Sequence, residues 1–255
     1  MSIIAVFNQK GGVGRTTTVL NLLAAIAKRG ERPLGIDLDP LAQLSQCFGA
    51  RPNRADDSVY SFFSGARPIG DLAQITKSGV MLCPAHPDLA RLDASLGKGP
   101  GAVMRLRHAL RGPDAIASTI VIDTPRLLSA LTLNALFACD LLLVPVPSDF
   151  LSLQSAREVE RAVNALEPVF RQRLPRRYLL TRFDADGMSA RVAEQIAAAF
   201  PAEDICATRI RESEQLAESP MFELDVFRHA PESTGVQDYH ALADELRQAG
   251  FVSAA

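Results

Sequence analysis

A short apolar run at residues 3–8 leads straight into Asn8-Gln9-Lys10-Gly11-Gly12-Val13-Gly14-Arg15-Thr16-Thr17-Thr18. Apolar residues at helical spacing follow at once, at Val19, Leu22, Leu23, Ile26 and Ala27, and Gly30 then stops the helix. Strand, glycine loop and helix in that order form the context of a phosphate-binding loop. Glycines let backbone N–H groups approach a polyphosphate with no Cβ in the way, and the helix N-terminus adds oriented donors and partial positive charge. Such a loop usually ends in Gly-Lys-Ser/Thr, where the ammonium reaches the β- and γ-phosphates and the hydroxyl binds Mg²⁺. Here Thr16 supplies the hydroxyl, but the lysine position holds Arg15, and a second cation, Lys10, stands before the glycines. A bound nucleotide is therefore expected, and the rate of its hydrolysis is open.

The rest of the chain repeats the alternation. Residues 33–38 form a second apolar run ending in Asp37-Leu38-Asp39-Pro40, and Ile120-Val121-Ile122-Asp123-Thr124-Pro125 forms another. Residues 141–146 and 178–181 read as two more buried strands, with 81–84 and 205–210 as weaker ones. Helices are expected at roughly 41–47, 58–64, 88–95, 101–111, 130–137, 151–167, 188–199, 212–218 and 235–249. Continuous apolar strands between amphipathic helices imply an α/β fold, a doubly wound and mostly parallel sheet with helices on both faces. The stretch 97–101, Gly-Lys-Gly-Pro-Gly, reads as a surface loop inside that pattern, so a single domain spanning 1–255 is expected.

Composition removes several function classes. No apolar run reaches the ~18–20 residues that span a bilayer. The N-terminus lacks the basic-then-apolar pattern of a signal peptide, and a cytoplasmic location is expected. Cys47, Cys83, Cys139 and Cys206 are widely spaced, which fits buried free thiols better than a metal or iron–sulfur site. The net charge of −2 means that any nucleic-acid binding must come from a local patch.

Three features together carry chemistry: the loop, the Asp37-x-Asp39 pair at a strand's C-terminal end, and Asp123 closing another strand. Open α/β sheets place their ligand crevice at such ends, and phosphate-loop ATPases keep their Mg²⁺-organising acid there. In these motifs the chain resembles the deviant Walker ATPases of the ParA/Soj type. The resemblance rests on Lys10-Gly-Gly-Val-Gly-x-Thr-Thr, Asp37-Leu-Asp-Pro40, Ile122-Asp-Thr-Pro125 and Leu131-Thr-Leu-Asn-Ala-Leu136. Weaker echoes are Ser58-Val-Tyr-Ser-Phe-Phe, Pro84-Ala-His-Pro-Asp-Leu89, Val144-Pro-Val146 and Leu216-Ala-Glu-Ser-Pro220, so it runs from about residue 3 to about residue 247.

The resemblance implies roles for matching positions. Gly11, Gly12, Val13, Gly14, Arg15, Thr16 and Thr17 would wrap the phosphates of ATP. Thr16 would bind Mg²⁺, with Asp123 and Asp37 in its outer shell, and Asp39 would position the attacking water. Lys10 would be the signature lysine, which in this family crosses a dimer interface to the partner's nucleotide. It further implies an ATP-dependent homodimer that binds nucleoid DNA without sequence preference. That dimer would position a plasmid, chromosome or protein cargo, with a ParB-like or cargo adaptor protein stimulating hydrolysis. The glycine loop begins at residue 10, so no N-terminal helix-turn-helix domain is expected.

The chain also departs from that family pattern. Arg15 keeps the charge, but its planar fork is wider and longer than an ammonium, so slow hydrolysis is expected. A natural variant with altered turnover, a substitution introduced to trap a state, and a pseudo-ATPase are all compatible with it. Leu41 stands where Gln is usual, and Arg126 follows Asp-Thr-Pro where a second Pro is common. Arg126 is open to two readings, a phosphate or partner contact and a surface residue. The two arginines expected in the segment before Leu216 fall on Glu212 and Gln215, with Arg209 and Arg211 nearby. A second basic cluster holds Arg171, Arg173, Arg176 and Arg177, followed by Arg182 and Arg191, and reads either as a DNA-contacting patch or as a solvated helix end. Membrane targeting like that of MinD relatives is not expected, because the tail carries Asp238, Asp244 and Glu245, and Tyr239, Leu242 and Leu246 read as a docked helix. The leading alternative is a nucleotide-locked scaffold or regulator that binds a partner without useful turnover. A small-molecule ligase on this fold would need a second deep pocket beside the γ-phosphate.

Overall fold

A computed structural model describes every residue except Lys98, 113–116, Phe150, 171–172, 185–186 and 254–255. Its strands are β1 (Ser2–Val6), β2 (Leu34–Asp37), β3 (Gln74–Ile75), β4 (Met81–Cys83), β5 (Thr119–Asp123), β6 (Leu141–Pro147) and β7 (Arg176–Thr181). They form one sheet in the order β3-β4-β2-β5-β1-β6-β7, parallel throughout except for β3, which runs antiparallel to β4. The doubly wound α/β expectation is met. Between the strands run helices α1 (Arg15–Ala27), α2 (Gln43–Cys47), α3 (Val59–Ser64), α4 (Leu89–Ser95), α5 (Pro100–Val103), α6 (Arg105–Leu110) and α7 (Ala130–Ala138). The C-terminal part adds α8 (Ser152–Phe170), α9 (Gly187–Ala199), α10 (Glu214–Glu218), α11 (Val226–His229) and α12 (Thr234–Gln248).

Side chains of each strand alternate between two cores, one on each face of the sheet. Ile3 and Ala5 of β1 point into one core with Ile36, Ile122, Val144 and Leu136. Ile4 and Val6 point into the other with Val121, Leu143, Leu22 and Leu242. Strands buried on both faces read as unbroken apolar runs, which is why β1, β5 and β6 are legible from sequence. Tyr239, Leu242 and Leu246 are buried on α12 as expected, and the four cysteines are free and buried. Burial pushes the thiols of Cys47, Cys83 and Cys139 up to about 12.

The prolines of β6 show how the sheet's end is opened. Leu142 N–H donates to Pro175 O on the β7 side, so alternate positions 143, 145 and 147 face β1. The last β1–β6 partners are Val6 and Leu143. Pro145 and Pro147 therefore lie where β1 has already left the sheet and no ladder donor is needed.

Two expected elements differ. Residues 205–210 form no strand: only isolated bridges join Tyr178 to Ile205 and Phe183 to Arg211. The N–H groups of Ala207 and Thr208 donate to the Glu245 carboxylate, each at 2.8 Å, so the pairing with β7 is interrupted between Cys206 N–H, which reaches Tyr178 O, and Ile210 N–H, which reaches Leu180 O. The helix expected at 101–111 breaks at Met104 into α5 and α6. Asn134 bridges the break, accepting from Leu106 N–H and donating to Ala102 O. The strand β3 and helix α11 escaped the sequence reading because two and four residues carry no period.

Candidate nucleotide-binding site

The glycine loop connects β1 to α1 at the C-terminal edge of the sheet. Buried Asn8 fixes its start: Nδ2 donates to Pro145 O at 2.8 Å, and Oδ1 accepts Lys10 N–H at 3.0 Å. Gly12 and Gly14 take φ of 72° and 90°, which a Cβ would oppose, and Gly14 O accepts the Thr18 N–H that opens α1. From the end of β7, two strands away, the Thr181 hydroxyl donates to Val13 O at 2.9 Å. A cavity of about 300 Å³ opens on Gly12–Thr17 and extends toward Thr181, Arg182 and Tyr239. Of the expected phosphate-wrapping residues, Gly12, Val13, Gly14, Arg15, Thr16 and Thr17 line this cavity, and Gly11 does not.

The register of β2 with β5 sets Asp37 beside Asp123. Thr16 Oγ1 donates to Asp123 Oδ2 at 2.7 Å, while Asp123 Oδ1 is buried with no hydrogen-bond partner. Burial first, then the charge of Asp37, pushes the Asp123 carboxyl well above its ordinary value. Asp37 is buried too, and burial raises it to about 7. Its oxygens are already engaged: Oδ2 accepts the Ser45 N–H (2.9 Å) and hydroxyl (2.6 Å), and Oδ1 accepts Asp39 N–H (3.1 Å). Ser45 Oγ in turn accepts Ala85 N–H at 2.9 Å, tying α2 to the end of β4. Asp39 accepts Leu41 N–H at 3.0 Å and lies at the crevice rim.

A hydroxyl beside a buried carboxylate with one idle oxygen suits Mg²⁺, a hard cation. Among the described residues no group of three or more His, Cys, Asp or Glu is arranged to hold a metal. A cation here would take its remaining oxygens from water and phosphate, as Mg²⁺ commonly does. Thr16 and Asp123 would hold it, and it would neutralise charge developing on the phosphates.

The two cations of the loop sit differently from each other. Arg15 Nη1 donates to Asn8 O at 2.6 Å and Lys10 O at 2.9 Å, closing the loop on itself, and its Nε is buried without a partner. Burial lowers its pKa, opposed by Asp123 and Asp39. Lys10 reaches outward to both oxygens of Asp149 at 2.6 Å, just past β6. Asp149 was not singled out in the sequence. The signal for it is an acidic residue just beyond a strand end, and it becomes informative only once β6 is known to lie beside β1.

The structure separates the expected basic residues. Arg171 lies outside the described residues. Arg176 is not a solvated helix end: it is fully buried on β7 and bonded to Glu160, Asn164 and Glu167. Arg173 pairs with Asp204, Arg182 with Glu212 at 3.1 Å, and Arg211 with Asp238. Arg177 lies 3.9 Å from Asp204, and Arg209 stacks over Phe183. Arg191 is exposed on α9.

Similarity to known proteins follows the same lines. The family described as AAA domain matches residues 1–175. The chromosome-partitioning ATPase Soj of Thermus thermophilus is 37% identical over 95% of this chain and 94% of its own length. The chromosome partitioning protein ParA of Caulobacter vibrioides is 32% identical over 96% of this chain and 94% of its own. Among solved structures, a cobyrinic acid a,c-diamide synthase from Mycobacterium smegmatis with bound ATP analogue and magnesium superposes with a TM-score of 0.83. It is 28% identical, covering 98% of this chain and 97% of that one. McdA from Cyanothece, at 18% identity and a TM-score of 0.84 over 96% of this chain and 98% of that one, shares the fold.

Proposed function

Because the chain belongs to the AAA-domain family and, within it, to the Soj/ParA partitioning ATPases, we propose that it is an ATP-driven partitioning switch. ATP with Mg²⁺ would join two copies face to face, and hydrolysis would release them. The observation that carries this reading is Lys10. It precedes the glycines, reaches away from its own loop, and among the described residues its ammonium is held only by the half-exposed Asp149. A second nucleotide can replace that exposed partner at small cost. Leu41, Leu127 and Leu151 follow β2, β5 and β6 at the same rim and are 66%, 67% and 55% exposed, an apolar surface suited to a second copy.

In the proposed cycle Gly11 to Thr17 hold the phosphates, Thr16 and Asp123 hold Mg²⁺, and Asp37 fixes the Asp39 loop through Ser45. Asp39 orients the water for in-line attack. Arg15 slows this step, since one arm of its fork already closes the loop. The same tether favours a second reading, a nucleotide-locked scaffold with little turnover. A ligase reading has less support: the cavity of about 350 Å³ at Ala42, Gln46 and His86 shares no lining residue with the one on the glycine loop.

Non-specific DNA would meet exposed arginines that lack ion-pair partners among the described residues. Arg157 and Arg161, one turn apart on α8, and Arg191 on α9 meet that description; the ion-paired Arg173, Arg176 and Arg211 do not. Such phosphate contacts make affinity fall steeply with salt. A ParB-like or cargo adaptor that accelerates hydrolysis completes the cycle.

Sizing of the chain in ATP and in ADP, each with Mg²⁺, tests the switch. Dimers in ATP and monomers in ADP are expected, and monomers in both sink the sandwich. Turnover measured with and without DNA separates the switch, which DNA and partner stimulate, from the locked scaffold.

A further inference from the structure

The turn after β5 is fastened more firmly than a surface loop requires. The Thr124 hydroxyl donates to Val6 O at 2.6 Å, anchoring the chain beside the end of β1. One residue later Pro125 fixes its own φ. The buried Thr132 hydroxyl then reaches back from α7 to Leu127 O at 2.6 Å and Pro125 O at 3.5 Å. Arg126 is thus held by the carbonyls on both sides of it. The strand order places this turn between the glycine loop, which follows β1, and the Asp37–Asp39 segment, which follows β2.

Held this way, Arg126 has nothing to bond. Its side chain is exposed and makes no hydrogen bond or ion pair among the described residues, although Arg51 and Arg182, equally on the surface, pair with Glu223 and Glu212. It also stands at the same end of the sheet as Arg15, because β5, which it follows, lies directly beside β1, which leads into the glycine loop. Two guanidinium groups at one end of the sheet repel each other, and an anion bound there relieves the repulsion. Arg15, for its part, has given Nη1 to Asn8 O and Lys10 O. The loop therefore offers a terminal phosphate fewer free donors than an arginine at that position would otherwise supply.

We propose that Arg126 is a phosphate-contacting residue of this site, binding the terminal phosphate of the triphosphate in the same chain and supplying the donors that Arg15 withholds. The inference rests on the nucleotide-binding reading above. Its consequence is selectivity: Arg126 separates a nucleoside triphosphate from the diphosphate, which lacks the oxygens it would touch. A planar fork suits this task, since it binds phosphate through two parallel donors.

The test is a binding titration at a chain concentration where sizing gives monomer, with Mg²⁺ and either a non-hydrolysable ATP analogue or ADP. Losing a charge-assisted hydrogen bond corresponds to roughly a tenfold weakening. Arg126→Ala is therefore expected to weaken the analogue about tenfold or more while ADP shifts less than about twofold. Arg126→Lys, which keeps the charge but not the fork, recovers part of the loss. Unfolding of the nucleotide-free chain should be unchanged by either substitution, since the side chain packs on nothing described. Equal weakening of analogue and ADP, or no weakening of either, overturns the phosphate contact while leaving nucleotide binding in place. Failure of the unsubstituted chain to bind both nucleotides overturns the underlying reading, and Arg126 falls with it.

Discussion

Buried charge gathers at both edges of the sheet, and the two gatherings differ in whether their polar atoms are paired. At the N-terminal end of β7, Arg176 is fully buried with every nitrogen engaged: Nε to Leu174 O, Nη1 to Glu160 and Asn164, Nη2 to Glu167, while the Tyr178 hydroxyl donates to Glu160. At the C-terminal ends of β2 and β5, Asp37 and Asp123 stand side by side, Asp123 Oδ1 is idle and Arg15 Nε is unpaired. A closed network of this kind fastens α8 to β7 and needs nothing further. An open one stores desolvation cost that a cation and a polyphosphate can relieve. One cluster belongs to stability and the other to binding, and substitutions at each should show it in opposite ways.

The largest effect is expected at the closed cluster. Arg176→Ala leaves Glu160 and Glu167 without their cation and should cost about 3–5 kcal/mol of folding stability, read by denaturant unfolding. At temperatures where the variant is folded, its nucleotide affinity should match that of the parent chain. A loss of affinity without a loss of stability would erase the distinction between the clusters.

Asp123→Asn should do the reverse. Removing an idle buried charge leaves the nucleotide-free chain as stable as before, or about 1 kcal/mol more so, because an amide oxygen still accepts from Thr16. Stabilisation by Mg²⁺ and ATP, about 2.7 kcal/mol at a hundredfold excess over Kd, should vanish from the thermal melt. Destabilisation of the nucleotide-free variant would mean that the idle oxygen already has a structural task.

Arg15→Lys sharpens the comparison within the open cluster. An ammonium cannot bridge the loop carbonyls as a fork does, and repositioning of the phosphate should raise turnover roughly 10–100-fold. Unchanged turnover would refute slow hydrolysis as the consequence of Arg15. The smallest effect is expected at Asp149→Asn, which frees Lys10 at a half-exposed pair. Stability should change by no more than about 0.5 kcal/mol, while ATP-dependent dimers should form at roughly 2–5-fold lower chain concentration in sedimentation.

Much of the open cluster was legible in the sequence because its parts are local. Asn8 to Thr18 encode strand, loop and helix by glycine stereochemistry and by period, and Asp37, Asp39 and Asp123 each close an apolar run. The closed cluster was not legible. Arg176 looked like one of several surface arginines, because nothing near it in sequence announces that Glu160 and Glu167, one helix earlier, fold onto it. The failed strand at 205–210 has the same origin: its apolar residues suit a strand, but Glu245 from α12 takes the N–H groups of Ala207 and Thr208 in the middle of the run.

The sequence by itself determined the family, the phosphate-binding loop, the parallel α/β architecture and the identity of the acids at the strand ends. Those properties depend on backbone conformation and hydrophobic period, which act over a few residues. The order β3-β4-β2-β5-β1-β6-β7 was left to the tertiary structure. That order decided which charges meet: Asp37 with Asp123 and Lys10 with Asp149. A charge's partner is set by distance in space, and strands far apart in the chain become neighbours only when the whole sheet closes.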